Sequence, residues 1–160
     1  MQVEELMTSS IQCCNPGDSL ERAAEIMWAS DCGCVPVCET DGDSRAIGVV
    51  TDRDICMCAL FQGKPLRELR VSEAMAREVV SVRPNDSLES AERAMQDARI
   101  RRLPVIDAQG SLVGILSLSD IAREAARQQT SPRRGVTETE VNETLAAICQ
   151  PNSGALIAGV

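Results

Sequence analysis

Two octets hold the side chains of this chain that could do chemistry together: Gly48-Val49-Val50-Thr51-Asp52-Arg53-Asp54-Ile55 and Gly114-Ile115-Leu116-Ser117-Leu118-Ser119-Asp120-Ile121. Each reads glycine, two apolar residues, a hydroxyl, two variable positions, Asp and Ile. The hydroxyl stands where a strand is expected to pass into a helix, and a helix N-terminus exposes unpaired N–H groups that favour a phosphate. The Asp three residues on can accept two hydrogen bonds from neighbouring hydroxyls. A ribose diol supplies such a pair, much as an acidic residue reads ribose in dinucleotide folds. The glycine allows close backbone approach. Together these groups make a cradle for a ribonucleotide. A purely local reading competes, because Thr51 and Ser117 would cap any helix starting there and Asp54 and Asp120 would suit its dipole. One octet would decide little. Two at equivalent places, each following a Pro-Val strand, favour the cradle.

The other reactive side chains are eight cysteines, seven of them (Cys13, Cys14, Cys32, Cys34, Cys38, Cys56, Cys58) in the first 60 residues. Thiolates bind zinc, and Cys32-x-Cys34 and Cys56-x-Cys58 are suggestive pairs. Their gap is one residue shorter than the usual minimum, and the chain has no His. Cysteine as a small apolar core residue in a reducing compartment is the favoured reading, so no metal ligand is assigned. With no His, no Tyr and no recognisable nucleophile–base pair, an enzyme is not expected.

The elements that must position the octets come in two copies. Met7 aligns with Met75, Pro16 with Pro84, Asp18-Ser19-Leu20-Glu21 with Asp86-Ser87-Leu88-Glu89, Met27 with Met95, and Pro36-Val37 with Pro104-Val105. Such a repeat is one supersecondary unit that buries its apolar face against its neighbour. In each copy an extended stretch (Ile11–Cys14, Val79–Val82) precedes a Pro turn. A helix follows, with Asp18 or Asp86 as its N-cap and Glu21 or Glu89 completing a capping box. Its apolar positions are 20, 23, 24, 27 and 28 in one copy and 88, 91, 95 and 98 in the other. Two β-rich runs and a second helix complete a β-α-β-β-α unit. The expected class is α+β, with repeat 1 at 1–60, a linker at 61–70, repeat 2 at 71–127, and a linker, helix and loose tail over 128–160. Turns are expected at 40–44 and 107–110. A helix over 137–149 would carry Val141, Leu145 and Ile148 on one side, as a packing or dimerisation element.

The pattern Met-(3)-h-x-[Cys/Ser]-h-x-Pro-x-Asp-Ser-Leu, then h-Pro-Val, then the octet (h apolar), occurs twice and resembles a pair of CBS domains, a Bateman module, over residues 3–126. The resemblance implies a pseudo-twofold module with two clefts between repeats, flat dimers, and regulatory binding of adenosine ligands such as AMP, ADP, ATP or S-adenosylmethionine. It assigns Thr51, Arg53, Asp54, Val79, Val80, Ile100, Arg101 and Arg102 to one cleft (cleft A). To the other (cleft B) it assigns Ile11, Gln12, Cys32, Gly33, Ser117, Ser119 and Asp120. Cleft A has Arg101-Arg102 where cleft B has Gly33-Cys34, and paired guanidinium groups suit phosphate oxygens. Cleft A is therefore expected to take the phosphorylated ligand. An adenosine nucleotide and an unidentified protein are the expected partners, and no cofactor is required. A cysteine-based redox or metal sensor on the same scaffold is the alternative.

Composition bounds the rest. The net charge is −8, with six Lys/Arg against twelve Asp/Glu in residues 1–70 and ten against twelve in 71–160. An anion should prefer the second half. The acidic balance argues against nucleic acid and anionic membranes, and aromatics at 1% leave no stacking platform for bases. No apolar run is long enough to span a bilayer and the first residues carry two acids, so a cytoplasmic location is expected, while the homodimer is what the resemblance implies.

Overall fold

The computed structural model describes residues 1–39, 44–128 and 137–149. Repeat 1 contains helix α1 (Leu20–Ala29), strands β1 (Cys34–Cys38) and β2 (Ala46–Thr51), and helix α2 (Asp52–Gln62). Repeat 2 contains a short helix α3 (Val71–Ala74), then α4 (Leu88–Ala98), β3 (Arg102–Ile106), β4 (Leu112–Ser117) and α5 (Leu118–Gln128). A C-terminal helix α6 (Glu138–Ile148) follows. The turn expected at 40–44 lies outside the described residues except for Ser44. The linker expected from 128 and the tail from 151 also lie outside them, apart from Gln128 at the end of α5.

The caps of α1 and α4 differ by one residue from expectation. Ser19 accepts from the Arg22 N–H at 3.2 Å, and Ser87 from the Ser90 N–H at 3.1 Å. Asp18 and Asp86 instead close the preceding Pro turns, accepting from the Asn15 and Arg83 N–H groups at 2.8 Å. An Asp side chain reaches backbone on either side of itself, so composition alone could not choose between cap and turn. Trp28 is also not on the buried face. Leu20, Ala23, Ile26 and Met27 are buried while Trp28 is 91% exposed.

Each hairpin pairs antiparallel, Val35 opposite Val50 and Leu103 opposite Leu116, with a register shift after Val37 and after Val105. The extended stretch expected as a further strand contributes one parallel bridge per repeat, Cys14 to Val37 and Val82 to Val105. The prolines explain why it stops. A preceding bridge, at Val35 or Leu103, would need a donor from Pro36 or Pro104, and proline has no N–H.

The repeats are tied together by exchange of their leading segments. Thr8 exchanges two backbone bonds with Ile115 of β4 (2.9 and 3.0 Å), and Ala76 does the same with Val49 of β2 (2.8 and 3.0 Å). Val3 accordingly packs in the core built from α4, β3, β4 and α5. Leu69, Val71 and Met75 pack in the core built from α1, β1, β2 and α2. The octet glycines serve this exchange. A Cβ on Gly48 would lie 2.8 Å from the Ala76 carbonyl oxygen, and one on Gly114 would lie 2.6 Å from the Met7 sulfur. Both glycines are thus taken up by packing against Met75-Ala76 and Met7-Thr8.

α6 packs on α4 and α5. Val141 and Ile148 face the repeat 2 core and Thr144 is fully buried, but Leu145, expected on the same side as these two, points outward at 43% exposure.

Candidate functional site: two clefts between the repeats

At the end of β2 the hydroxyl and carboxylate of the octet form a closed local unit. The Thr51 hydroxyl donates to Asp54 Oδ2 at 2.7 Å, the Thr51 N–H donates to the same oxygen at 3.0 Å, and the Asp54 N–H donates to Thr51 Oγ1 at 3.2 Å. Ser117 and Asp120 repeat it at 2.6, 2.8 and 3.2 Å. The octet is therefore a reciprocal capping box, and each Asp spends one oxygen on it. The other oxygen differs between copies. Asp54 Oδ1 has no hydrogen-bond partner among the described residues, whereas Asp120 Oδ1 is paired with Arg123.

The N-terminus of α2 does not offer the free N–H groups expected for a phosphate. The Asp52 N–H donates to the Gly33 carbonyl at 3.2 Å, the Arg53 N–H to Asp52 Oδ1 at 2.7 Å, and the Asp54 N–H to Thr51. Attraction for an anion must come from side chains instead.

The structure brings the expected residues together in two cavities on either side of the pseudo-twofold axis. Thr51, Arg53, Asp54, Val80, Ile100, Arg101 and Arg102 line cleft A, of about 460 Å3. Val79 does not, because successive side chains of an extended segment point to opposite sides. Ile11, Gln12, Cys32, Ser117, Ser119 and Asp120 line cleft B, of about 490 Å3, while Gly33 faces cleft A. A Cβ on Gly33 would lie 2.7 Å from Asp52 Oδ2, so a side chain there would have to displace the Asp52 carboxylate.

The charge contrast between clefts is real, but its origin differs in part from expectation. Cys34 and Arg102 are equivalent positions next to the axis, and both line both cavities. Arg102 therefore cannot distinguish them. Arg101, the other half of the expected pair, lines cleft A alone, and two further contrasts add to it: Arg99 in cleft A against Asp31 in cleft B, again equivalent positions, and Arg53 against Ser119. Asp31 and Arg99 both sit in the left-handed region at φ 47° and 53°, ending α1 and α4. Four arginines and three acids (Asp52, Asp54, Glu78) line cleft A, against two arginines and two acids in cleft B. The guanidinium forks of cleft A suit bidentate phosphate contacts. Sequence reasoning missed Arg99, Glu78 and Asp31, although the repeat alignment of 31 with 99 carries the signal. It also missed Arg123 and Ile148, and Ile148 lies outside the repeat altogether.

Burial governs the thiols nearby. It pushes Cys34 up to about 11 against the pull of the Arg102 guanidinium. It pushes Cys14 to about 11, reinforced by the Asp18 carboxylate. It takes Cys38 to about 12, with a hydrogen bond between its thiol and Cys13, made by the neutral form, adding to the effect. A thiol this far above its ordinary range is a poor nucleophile at neutral pH. Among the described residues, no three His, Cys, Asp or Glu side chains group as a metal site.

Comparison with known proteins agrees with this architecture. The family model of the CBS domain matches residues 3–59 and 71–127. The CBS domain-containing protein YhcV of Bacillus subtilis is 39% identical over 120 residues, covering 75% of this chain and 82% of YhcV. The crystal structure of CBSX2 in complex with AMP matches with a TM-score of 0.69 at 28% identity, covering 80% of this chain and 98% of that one. Hypoxic Response Protein I, solved with two coordinated zinc ions, matches with a TM-score of 0.69 at 31% identity, covering 77% of this chain and 98% of that one.

Proposed function

The chain belongs to the CBS-domain family as a tandem pair of CBS repeats, and from that premise we propose that it is a regulatory module that binds an adenosine-containing nucleotide in cleft A. The observation that carries this reading is Asp54 Oδ1, unpartnered among the described residues, in a cavity also lined by Arg53, Arg99, Arg101 and Arg102. The free carboxylate oxygen is placed to accept from a ribose diol, and the guanidinium groups are placed to take phosphate. The complex of CBSX2 with AMP supports the ligand class. Thr51 acts by fixing Asp54, and Val80 and Ile100 offer the apolar wall that a base would meet. In cleft B, Arg123 occupies the equivalent carboxylate, so a ribose diol there must first displace an ion pair. The module acts as a cytoplasmic homodimer, is not itself an enzyme, and passes its ligand state to a protein partner.

The test is calorimetric titration of the reduced protein with AMP, ADP, ATP and S-adenosylmethionine. One equivalent of an adenosine ligand per chain is expected, and no heat with any of the four would sink the reading. A thiol-based metal or redox sensor is the second reading, favoured by the zinc ions of Hypoxic Response Protein I. The raised values of Cys14, Cys34 and Cys38 weigh against the redox form of it, and the lack of three grouped His, Cys, Asp or Glu side chains among the described residues weighs against the metal form.

A further inference from the structure

The two repeats treat equivalent helix faces differently. On repeat 2, α6 lies over α4 and α5, with the Gln96 amide donating to the Thr144 hydroxyl at 2.9 Å. The matching position on α1 is Trp28, exposed to solvent. Ile148 at the end of α6 is 8% exposed, belongs to the repeat 2 core, and lines cleft A. One turn before Gln96 lies Glu92, 5% exposed, whose Oε1 has no hydrogen-bond partner. Its counterpart in repeat 1 is Ala24. An unpartnered carboxyl is thus sealed beneath a helix that also forms part of the ligand cavity.

We propose that α6 is a strap whose docking on α4 and α5 is coupled to occupancy of cleft A through Ile148, and that ionisation of Glu92 loosens it. The proposal rests on the nucleotide reading of cleft A and names how occupancy leaves the cleft. Ligand against Ile148 holds the helix down, and a docked helix in turn completes the wall for the ligand, since coupling between two sites is reciprocal. A partner protein would read α6 held or released.

The charges around Glu92 give the direction of its pH response. Burial, then Glu140 of α6 and Glu89 of its own helix, raise Glu92 to about 7. Arg93 turns outward to Glu89, and the charged residues of α5 pair among themselves, Arg123 with Asp120 and Arg127 with Glu124. Glu138 and Glu143, the other charges of α6, are exposed and also acidic. A carboxyl raised in the docked state favours docking while it is protonated. Docking is therefore strongest below the ordinary carboxylate value of 4.5, weakens as pH climbs from there towards 7, and is constant above.

Hydrogen–deuterium exchange of the α6 amides in the full chain tests the coupling, with each variant compared to wild type at the same pH. Saturating AMP should slow α6 exchange in wild type, and Ile148→Ala should weaken AMP binding about fivefold while removing that slowing. Without ligand, Glu92→Gln should match wild type near about pH 4.5 and exchange about tenfold more slowly than wild type near about pH 7.5. If AMP binds in an Asp54-dependent manner but α6 exchange and the Ile148→Ala affinity do not change, the coupling is wrong and the nucleotide reading stands. If AMP binds nowhere, both fall. If Glu92→Gln and wild type exchange alike at both pH values, the carboxyl plays no part and the proposal is overturned in that half.

Discussion

At the residue scale, the two oxygens of one carboxylate have different fates. Asp54 caps α2 with Oδ2, while Oδ1, unpartnered among the described residues, is the atom that the proposed function gives to a ligand. That duality was legible in the sequence, because a hydroxyl three residues before an acid at a strand–helix junction is the signature of both. What was not legible is how the remaining polar groups are spent. Asp52 turning back on the Arg53 N–H, and Arg123 settling on Asp120, depend on rotamers that no spacing rule dictates. The cysteines give a prediction at this scale. Under native conditions the exposed Cys13, Cys56 and Cys149 should react with a disulfide reagent first, and the buried Cys14 and Cys38 only on unfolding. Titration of thiols with and without denaturant checks this, and rapid reaction of Cys38 in the native protein would revive the redox reading.

At the element scale, the repeat was legible and the exchange of leading segments was not. The alignment of Met7 with Met75 and Gly48 with Gly114 announces two equal units, but it does not say that each Met packs beneath the other unit's glycine. That pairing is set by backbone bonds between segments far apart in sequence, where periodicity carries no signal. The structure orders the consequences. In Gly48→Ala the new Cβ meets a carbonyl oxygen fixed by two hydrogen bonds, whereas in Gly114→Ala it first meets the end of a flexible thioether. We expect Gly48→Ala to cost about 2–3 kcal/mol and Gly114→Ala about 1 kcal/mol. Urea midpoints measure both, and an equal loss would mean that Met7 is as rigidly held as the Ala76 backbone. The opening strand shows the same limit from the other side. Its alternating residues read as a full strand, yet Pro36 and Pro104 withhold the donor for a further bridge.

At the scale of the whole molecule, the repeat supplies two clefts whose linings differ. Arg99 against Asp31 and an unpartnered against a paired carboxylate oxygen are the differences on which the proposed anion site in cleft A rests. The third difference is α6, which covers repeat 2 while α1 and α2 keep Trp28, Leu60 and Phe61 exposed. If these side chains share one surface, they make the kind of apolar patch that marks an association site, and the expected homodimer should form through repeat 1. Trp28→Gln, which installs the residue found at the equivalent position 96, should shift sedimentation from dimer towards monomer. An unchanged dimer would move the interface elsewhere. The central claim is tested most directly by titrating AMP into wild type, Asp54→Asn and Asp120→Asn. An Asn side chain can still accept from the Thr51 N–H, so helix capping survives while the charge offered to the ribose is lost. We expect one AMP per chain in wild type, an affinity at least about tenfold weaker in Asp54→Asn, and little change in Asp120→Asn. Binding that survives Asp54→Asn and is lost in Asp120→Asn would put the nucleotide in cleft B and contradict this account.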